Sequence, residues 1–214
     1  MEKRTHNEAF ESVRQELLDQ RIDYLEKGEK RSKDIALIST GVAAVSLLTI
    51  IANVMTNDLN VALQTTGSCV AMATYSVGNL KQYKYYKNLI AATKEKKEQK
   101  VENVNLEAIK EKLENYKSRL EYYRINHPTH VIAGLGFAES FIMTLINTIT
   151  TVNSNTAISL VPLVFMSSIT GLVALGHIKL ATDSKSQISL YEGLVTDTTT
   201  ELDIKTKQAS FKKN

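Results

Sequence analysis

The stretch IALISTGVAAVSLLTIIANVMTN, residues 35–57, holds 23 residues without an Asp, Glu, Lys or Arg. After Asp58, the stretch LNVALQTTGSCVAMATYSVGNL, residues 59–80, holds 22 more. Residues 140–178 then run for 39 positions with His177 as their one titratable side chain. Because an α-helix rises about 1.5 Å per residue, roughly 20 apolar residues cross the hydrocarbon core of a bilayer. Each of the first two stretches is long enough for one crossing, and the third, extended back to Val131, for two.

These lengths predict four transmembrane helices, at about residues 35–56, 60–80, 131–151 and 157–178. The alternative is a soluble helical protein with two buried hairpins, because hydroxyl residues such as Ser39, Thr40 and Ser68 occur inside the spans. A soluble helix keeps a polar face toward water, however, and small and hydroxyl residues are what membrane helices use to pack together. The sequence therefore favours an all-α, polytopic membrane protein.

The distribution of Lys and Arg predicts the orientation of the spans. Basic residues precede the first span, separate the second from the third, and follow the fourth, whereas the turns at 57–60 and 153–156 contain none. Lys and Arg concentrate on the cytoplasmic side of membranes, so both termini are expected in the cytoplasm and the protein in the plasma membrane. The predicted organisation is a cytosolic helix at 1–34, a membrane hairpin at 35–80, a cytosolic helical segment at 81–130, a second hairpin at 131–178 and a cytosolic helix and tail at 179–214.

The chain also contains signs of an internal repeat. RIDY at 21–24 is echoed by RLEY at 119–122, and GNLK at 78–81 by GHIK at 176–179, with a spacing of 98 residues in both cases. The two units have the same predicted topology, which makes them parallel repeats related by an axis along the membrane normal. Within each unit we expect a helix break between cytosol and membrane, at Gly28 because glycine weakens helices and before Pro128 because proline disfavours helix in the preceding residue.

A regular apolar stripe marks the central cytosolic segment. Its members alternate spacings of three and four residues, which is typical of a coiled-coil seam. The stripe consists of Leu106, Ile109, Leu113, Tyr116, Leu120 and Tyr123. We expect it to pack on the other cytosolic helices of the same chain; the alternative is a stalk that joins subunits.

Glu139 is the one acidic residue inside a predicted span. It lies eight residues into the third span, about 12 Å below its cytoplasmic edge. An acidic group near mid-bilayer costs roughly 2.5–3.5 kcal/mol and usually faces the bundle interior. We expect Thr170 on the fourth span and Thr74 or Tyr75 on the second as its neighbours. Glu139 is then either a proton or cation site, or a protonated acid that joins helices by hydrogen bonds.

Two weaker groups of polar residues accompany it. Three histidines fall at the inner interface: His127, His130 and His177. One interpretation is a pH-responsive or metal-binding cluster; the interpretation that we favour is that they are interfacial anchors. Residues of the two turns are compatible with a polar ring at a pore mouth, although Asn and Asp are also what a tight turn requires. These turn residues are Asn57, Asp58, Asn153 and Asn155.

Several classes of function find no support in the sequence. It contains no phosphate-binding glycine loop, no His-Glu-x-x-His spacing and no Gly-x-Ser-x-Gly elbow, so we expect neither an enzyme nor a bound metal or cofactor. The single cysteine, Cys69, excludes an intrachain disulfide framework. The net charge of +3 comes with basic residues at the membrane edges, which indicates contact with anionic lipid head groups rather than with nucleic acid.

Two functional hypotheses remain open. The first is a homo-oligomeric channel or membrane-permeabilising protein, gated through its cytosolic helices. The second is a non-conducting scaffold or sensor that recruits a cytosolic partner through coiled-coil helices. Small residues four apart, such as Gly136 with Ser140 and Ser167 with Gly171, indicate close helix packing in either case. The moderately apolar spans favour the first hypothesis, because some faces of an assembly never meet lipid.

Overall fold

The computed structural model describes residues 2–98, 104–153 and 160–211. Within these ranges the chain forms four long helices and no strand, which confirms the prediction of an all-α protein. The helices are α1 (Glu2–Met55), α2 (Leu59–Glu98), α3 (Val104–Asn153) and α4 (Leu160–Phe211).

Each helix runs without interruption from a predicted cytosolic segment into a predicted span. The expected breaks at Gly28 and before Pro128 are therefore wrong, since α1 continues through the first and α3 through the second. At Gly28 the physical reason is packing: a side chain there would lie 2.8 Å from the ring of Tyr86 on α2. The glycine allows a close approach between helices, and tertiary contact outweighs its low helix propensity.

The helices pack in antiparallel succession, α1 on α2, α2 on α3 and α3 on α4. Within the described residues α1 and α4 do not pack against each other, so α2 and α3 form the centre of the molecule. Two side-chain contacts among the described residues join helices that are not consecutive, α1 with α3 and α2 with α4. Arg14 of α1 pairs with Glu111 of α3 at 3.5 Å, and the rings of Tyr75 on α2 and His177 on α4 meet with centroids 5.5 Å apart.

Burial in the predicted span regions is inverted relative to a soluble protein. Buried positions are occupied by alanine and small hydroxyl residues: Ala36, Ser39, Ala62, Ala71, Ser76, Ala133, Ser140, Thr144, Ser167 and Ala174. Large apolar side chains face outward on all four helices, among them Leu37, Ile38, Val45, Leu48, Leu63, Val70, Leu135, Ile142, Leu172 and Leu175. An apolar surface of this extent is rare on a soluble monomer and marks contact with a membrane or with other chains.

Two helices meet the criterion of length and apolar composition for a membrane crossing, over Glu11–Met55 and Leu106–Thr150. They contain the first and the third of the four predicted spans to within one residue, whereas the described residues of α2 and α4 do not meet the criterion.

The apolar stripe of α3 packs within the chain. Leu113 and Leu120 are buried. Tyr123 stacks on Tyr191 of α4 with ring centroids 5.8 Å apart, and Tyr116 lies 6.1 Å from the same ring. The tyrosines of the stripe thus join α3 to α4 in the predicted cytosolic part.

Candidate site around Glu139 between the central helices

The central helices approach most closely at two glycines. A methyl group added to Gly67 of α2 would overlap both the Glu139 carboxyl group and the backbone carbonyl oxygen of Gly136. One added to Gly136 of α3 would lie 2.5 Å from the Gly67 carbonyl oxygen and 3.0 Å from the Ala71 side chain. Glycine at both positions lets the two backbones touch. As a result, the carboxyl group of Glu139 lies directly against the backbone of α2.

A network of hydrogen bonds, here called the α2–α3 network, flanks this contact. The Ser140 hydroxyl donates to the Gln64 carbonyl oxygen at 2.6 Å and accepts the Ser68 N–H at 3.0 Å. The Gln64 side chain donates to the Thr144 hydroxyl and accepts from the Asn147 amide, both at 2.8 Å. Ser140 and Thr144 are almost completely buried. Buried polar groups of this kind are stabilising only when they are paired, and this network pairs them.

Glu139 differs from the network beside it. Its Oε2 atom is buried against Gly67 and forms no hydrogen bond of good distance and angle with a described residue, so the Gly67 N–H is its one close backbone donor. A buried anionic oxygen without a partner is costly, so the carboxyl group requires a proton or a cation at this place. The geometry therefore provides one buried oxygen acceptor, inside the third predicted span, that the side chains of the described residues do not satisfy.

The expected neighbours of Glu139 do not lie equally close to its level. Phe141 packs against Gly171, which sets Thr170 on α4 about three residues, or about 4–5 Å along the helix, from the level of Glu139. The Thr170 hydroxyl donates to the Ser167 carbonyl oxygen at 3.1 Å.

Tyr75 lies elsewhere. The pairs Ser68–Ser140 and Gln82–Asn126 fix the register of α2 against α3, and this register sets Tyr75 opposite Ala133. That position is six residues, or about 9 Å along the helix, from Glu139. The neighbour that the sequence reasoning missed is Gly67. The signal for it was the small-residue pair that Gly67 forms with Ala71 four positions later.

Two of the three interfacial histidines come together. The Nδ1 atoms of His130 on α3 and His177 on α4 are 3.2 Å apart, and the Tyr75 ring meets His177 edge-on. His127 instead lies with its Nδ1 3.0 Å from the carbonyl oxygen of Ala181. Within 2–98, 104–153 and 160–211, no group of three or more His, Cys, Asp or Glu side chains is arranged to hold a metal ion.

The residues proposed for a pore mouth have a local role in the first turn. Asn57 adopts a left-handed backbone with φ of 59°, and the next N–H, of Asp58, bonds back to the Asn53 carbonyl oxygen at 2.8 Å. This is the Schellman arrangement that ends a helix. The Asp58 carboxylate then accepts an N–H from the first turn of α2 at 3.3 Å and so caps that helix. In the second turn, Asn153 is the last residue of α3, and Asn155 lies outside the described residues.

A second polar layer, at the cytoplasmic edge of the predicted spans, was not anticipated. The Ser32 hydroxyl of α1 donates to the Gln82 side-chain oxygen at 3.2 Å, and the Gln82 amide donates to the Asn126 side-chain oxygen of α3. Three helices are thereby joined at one level. Ser32 and Asn126 are buried.

Tyrosines form a further layer on the cytosolic side. The Tyr85 hydroxyl donates to the Ser118 carbonyl oxygen at 2.6 Å, and burial raises the pKa of Tyr85 to about 12. Burial also raises the pKa of Tyr86, and the neighbouring Tyr122 adds to the effect. The rings of Tyr86 and Tyr122 lie 6.5 Å apart between centroids. Aromatic contacts therefore join α2 to α3 just outside the predicted membrane.

Comparison with protein-family models, characterised proteins and solved structures finds no match to this chain, so its function is inferred from its own residues.

Proposed function

We propose that the protein is a four-span integral membrane protein that assembles into a homo-oligomer and conducts protons or small cations, under the control of its cytosolic helices. The four-span part of the proposal is supported by the inverted burial. Large apolar side chains face outward on α2 and α4 as well as on α1 and α3. Since the predicted spans contain no acidic or basic residue other than Glu139 and His177, and the outer faces carry large apolar side chains, all four outer faces suit lipid or a second subunit.

The hydroxyl groups on the outer faces support the same reading. Exposed Thr49, Thr66 and Ser168 each donate to the backbone carbonyl oxygen four residues earlier, at 3.0, 2.9 and 2.8 Å. A hydroxyl that is satisfied within its own helix does not require water. Such residues can therefore face hydrocarbon, where every polar group must find a partner inside the protein.

The conducting role is carried by one observation: the buried Oε2 of Glu139, inside the third predicted span, is satisfied by no side chain of the described residues. The centre of a single chain is closed, because Gly67 and Gly136 bring the backbones of α2 and α3 into contact. A path would therefore run between subunits, past the edge of this helix pair. Polar and ionisable residues inside membranes characteristically mark proton and ion pathways.

Assembly is supported by apolar side chains that remain exposed on the cytosolic helices. They lie on the two outer helices. On α1 they are Val13, Leu17 and Tyr24, and on α4 they are Leu190 and Ile204. Because lipid cannot cover them at this distance from the spans, contact between copies of the chain is the arrangement that buries them.

The test is ion and proton flux in liposomes that contain the purified protein, with its oligomeric state measured in the same preparation. We expect Glu139→Gln to abolish or reshape flux while folding is retained, because the amide keeps the size of the side chain. The matched control is Glu192→Gln, which removes an exposed acid that pairs with Arg124 on the cytosolic helices. Flux equal to wild type in Glu139→Gln from about pH 5 to 8, an interval that lies above the ordinary glutamate pKa of about 4.3, removes the ion-site role.

The second candidate is a non-conducting scaffold or sensor. It is favoured by the unbroken continuation of each span into a long cytosolic helix, a geometry that transmits a displacement without needing a pore. Absence of flux from a correctly assembled wild-type protein, together with capture of a cytosolic partner that depends on Leu17 and Leu190, selects this candidate over the first.

A further inference from the structure

A cavity of about 390 Å³ lies between α1, α2 and α3 at the cytoplasmic edge of the proposed membrane spans. Its size falls within the range of small-molecule sites, about 300–1,000 Å³. The backbones of α1 and α3 do not pack against each other in the described residues, so the cavity lies in the groove that separates them, with α2 as its floor. A ligand reaches it from the side, at the membrane surface.

The charged residues that line this cavity all lie on α1. Lys27 and Arg31 are four residues apart, which places them on one face of the helix, and no Asp or Glu is among the described residues that line the cavity. Lys27 is held by Asp23 at 2.6 Å, whereas Arg31 forms no ion pair with a described residue. The cavity therefore presents an uncompensated guanidinium group.

The depth of Arg31 matches the lipid head groups. It precedes Ile35, the first residue of the first predicted span, by four positions, or about 6 Å. The head-group layer on each side of the hydrocarbon is roughly 5–8 Å thick.

The remaining walls supply hydrogen-bonding groups and aromatic rings. Ser32, Asn79 and Asn126 are buried polar residues that line the cavity. Tyr86 and Tyr122 form an aromatic side, and the glycine at position 28 allows Tyr86 to lie against the α1 backbone. The Asn79 and Asn126 amides donate to the carbonyl oxygens of Tyr75 and Tyr122, so the cationic side chains are the principal donors for a ligand. A guanidinium group beside tyrosine rings suits a phosphate that is attached to an amphipathic body.

We propose that this cavity binds the phosphate group of an anionic phospholipid from the cytoplasmic leaflet, with Arg31 as the principal ligand and Lys27 as the second. The site rests on the proposed membrane insertion but not on conduction. The same phosphate chemistry also occurs in soluble phosphate compounds, and the experiment separates the two sources.

The full-length protein, purified in detergent, is titrated with short-chain phosphatidylglycerol, with short-chain phosphatidylcholine as the neutral reference, and bound lipid is counted by native mass spectrometry. We expect Arg31→Gln to weaken phosphatidylglycerol binding about tenfold, since a charge-assisted hydrogen-bonding partner is lost. Arg31→Lys keeps the charge but loses the planar guanidinium group, so its affinity for phosphatidylglycerol is expected to lie between those of wild type and Arg31→Gln. The matched control is Lys33→Gln, an exposed position two residues away that removes the same charge at the same depth but does not line the cavity. It is expected to change binding by less than about twofold.

Displacement by inorganic phosphate separates the sources. Phosphatidylglycerol that stays bound in millimolar phosphate, with dependence on Arg31, supports the lipid site. Binding of inorganic phosphate that depends on Arg31, without binding of phosphatidylglycerol, retains a phosphate site but overturns the lipid assignment. Equal effects of Arg31→Gln and Lys33→Gln, or no effect of either, overturn the proposal altogether. Because lipid retention is measured without flux, its failure is distinguishable from failure of the conducting role at Glu139.

Discussion

Gly67→Ala tests the contact that positions Glu139. The added methyl group overlaps the Glu139 carboxyl and the Gly136 carbonyl oxygen. The second of these is backbone, so no side-chain rotation relieves the overlap and α2 must move away from α3. Overpacking of this kind costs about 1–3 kcal/mol. Two adjacent interhelical bonds, from Ser140 to the Gln64 carbonyl and from the Ser68 N–H to Ser140, are stretched in the same movement. At about 0.6 kcal/mol each for membrane helices, they bring the expected loss to about 2–4 kcal/mol relative to a Gly→Ala change at an uncrowded position of a helix.

The assay is reversible unfolding in mixed detergent micelles, followed by circular dichroism. Gly176→Ala and Gly41→Ala are matched controls, because a methyl group at either position meets nothing within 4 Å. Alanine is up to about 1 kcal/mol better than glycine in a helix, so the controls are expected to be as stable as wild type or slightly more stable. If Gly67→Ala were as stable as the controls, α2 and α3 would not be in backbone contact at this level and the placement of Glu139 would be wrong.

Two further predictions concern the cytosolic helices. Leu113→Asp introduces a charge at a position that is 6% exposed and should cost several kcal/mol; unchanged thermal unfolding, with Lys117→Asp as the exposed control, would show that the stripe is not a packing surface. Burial raises the pKa of Tyr85 to about 12 from an unfolded value of 10.0, so the folded state binds the phenolic proton more tightly than the unfolded chain. The resulting stability is complete below about pH 10 and is lost as the pH rises through about 12. Tyr85→Phe should reduce this alkaline loss, and the remainder is expected from Tyr86 and Tyr122, whose pKa values burial also raises. Tyr24→Phe, at a position 70% exposed, should leave the loss unchanged; an unchanged alkaline transition in Tyr85→Phe would contradict the assignment.

The helices and their approximate order are readable from the sequence because the charge-free stretches are long and the flanking charges regular. The all-α class and the position of the first turn at Asn57 and Asp58 follow from that pattern. Helix ends were harder to predict. Gly28 and Pro128 both carry local signals for a break, yet α1 and α3 continue through them. Gly28 packs on Tyr86, and Thr129, the residue after the proline, packs on Gly78.

The candidate site was only partly predictable. The sequence identifies Glu139 because an acidic residue inside an apolar stretch is energetically costly and therefore rare. Antiparallel packing also brings Thr170 to within about one helical turn of its level. Which residue of α2 it meets depends on the rotation of two helices about their axes, and this rotation is set by the contact between Gly67 and Gly136. The layer of Ser32, Gln82 and Asn126 was missed for a similar reason. Its members lie on three different helices and have no common motif along the chain.

The central claim is that all four helices cross the membrane with both termini in the cytoplasm. It is tested most directly by single cysteines, introduced into a Cys69→Ala background and labelled in intact cells with a membrane-impermeant thiol reagent. Cysteines at Asp58 and Ser154, in the two predicted outer turns, should be labelled from outside, and a cysteine at Lys97 only after the membrane is permeabilised. Labelling at Lys97 in intact cells, or protection of either turn from the reagent, would contradict the four-span account.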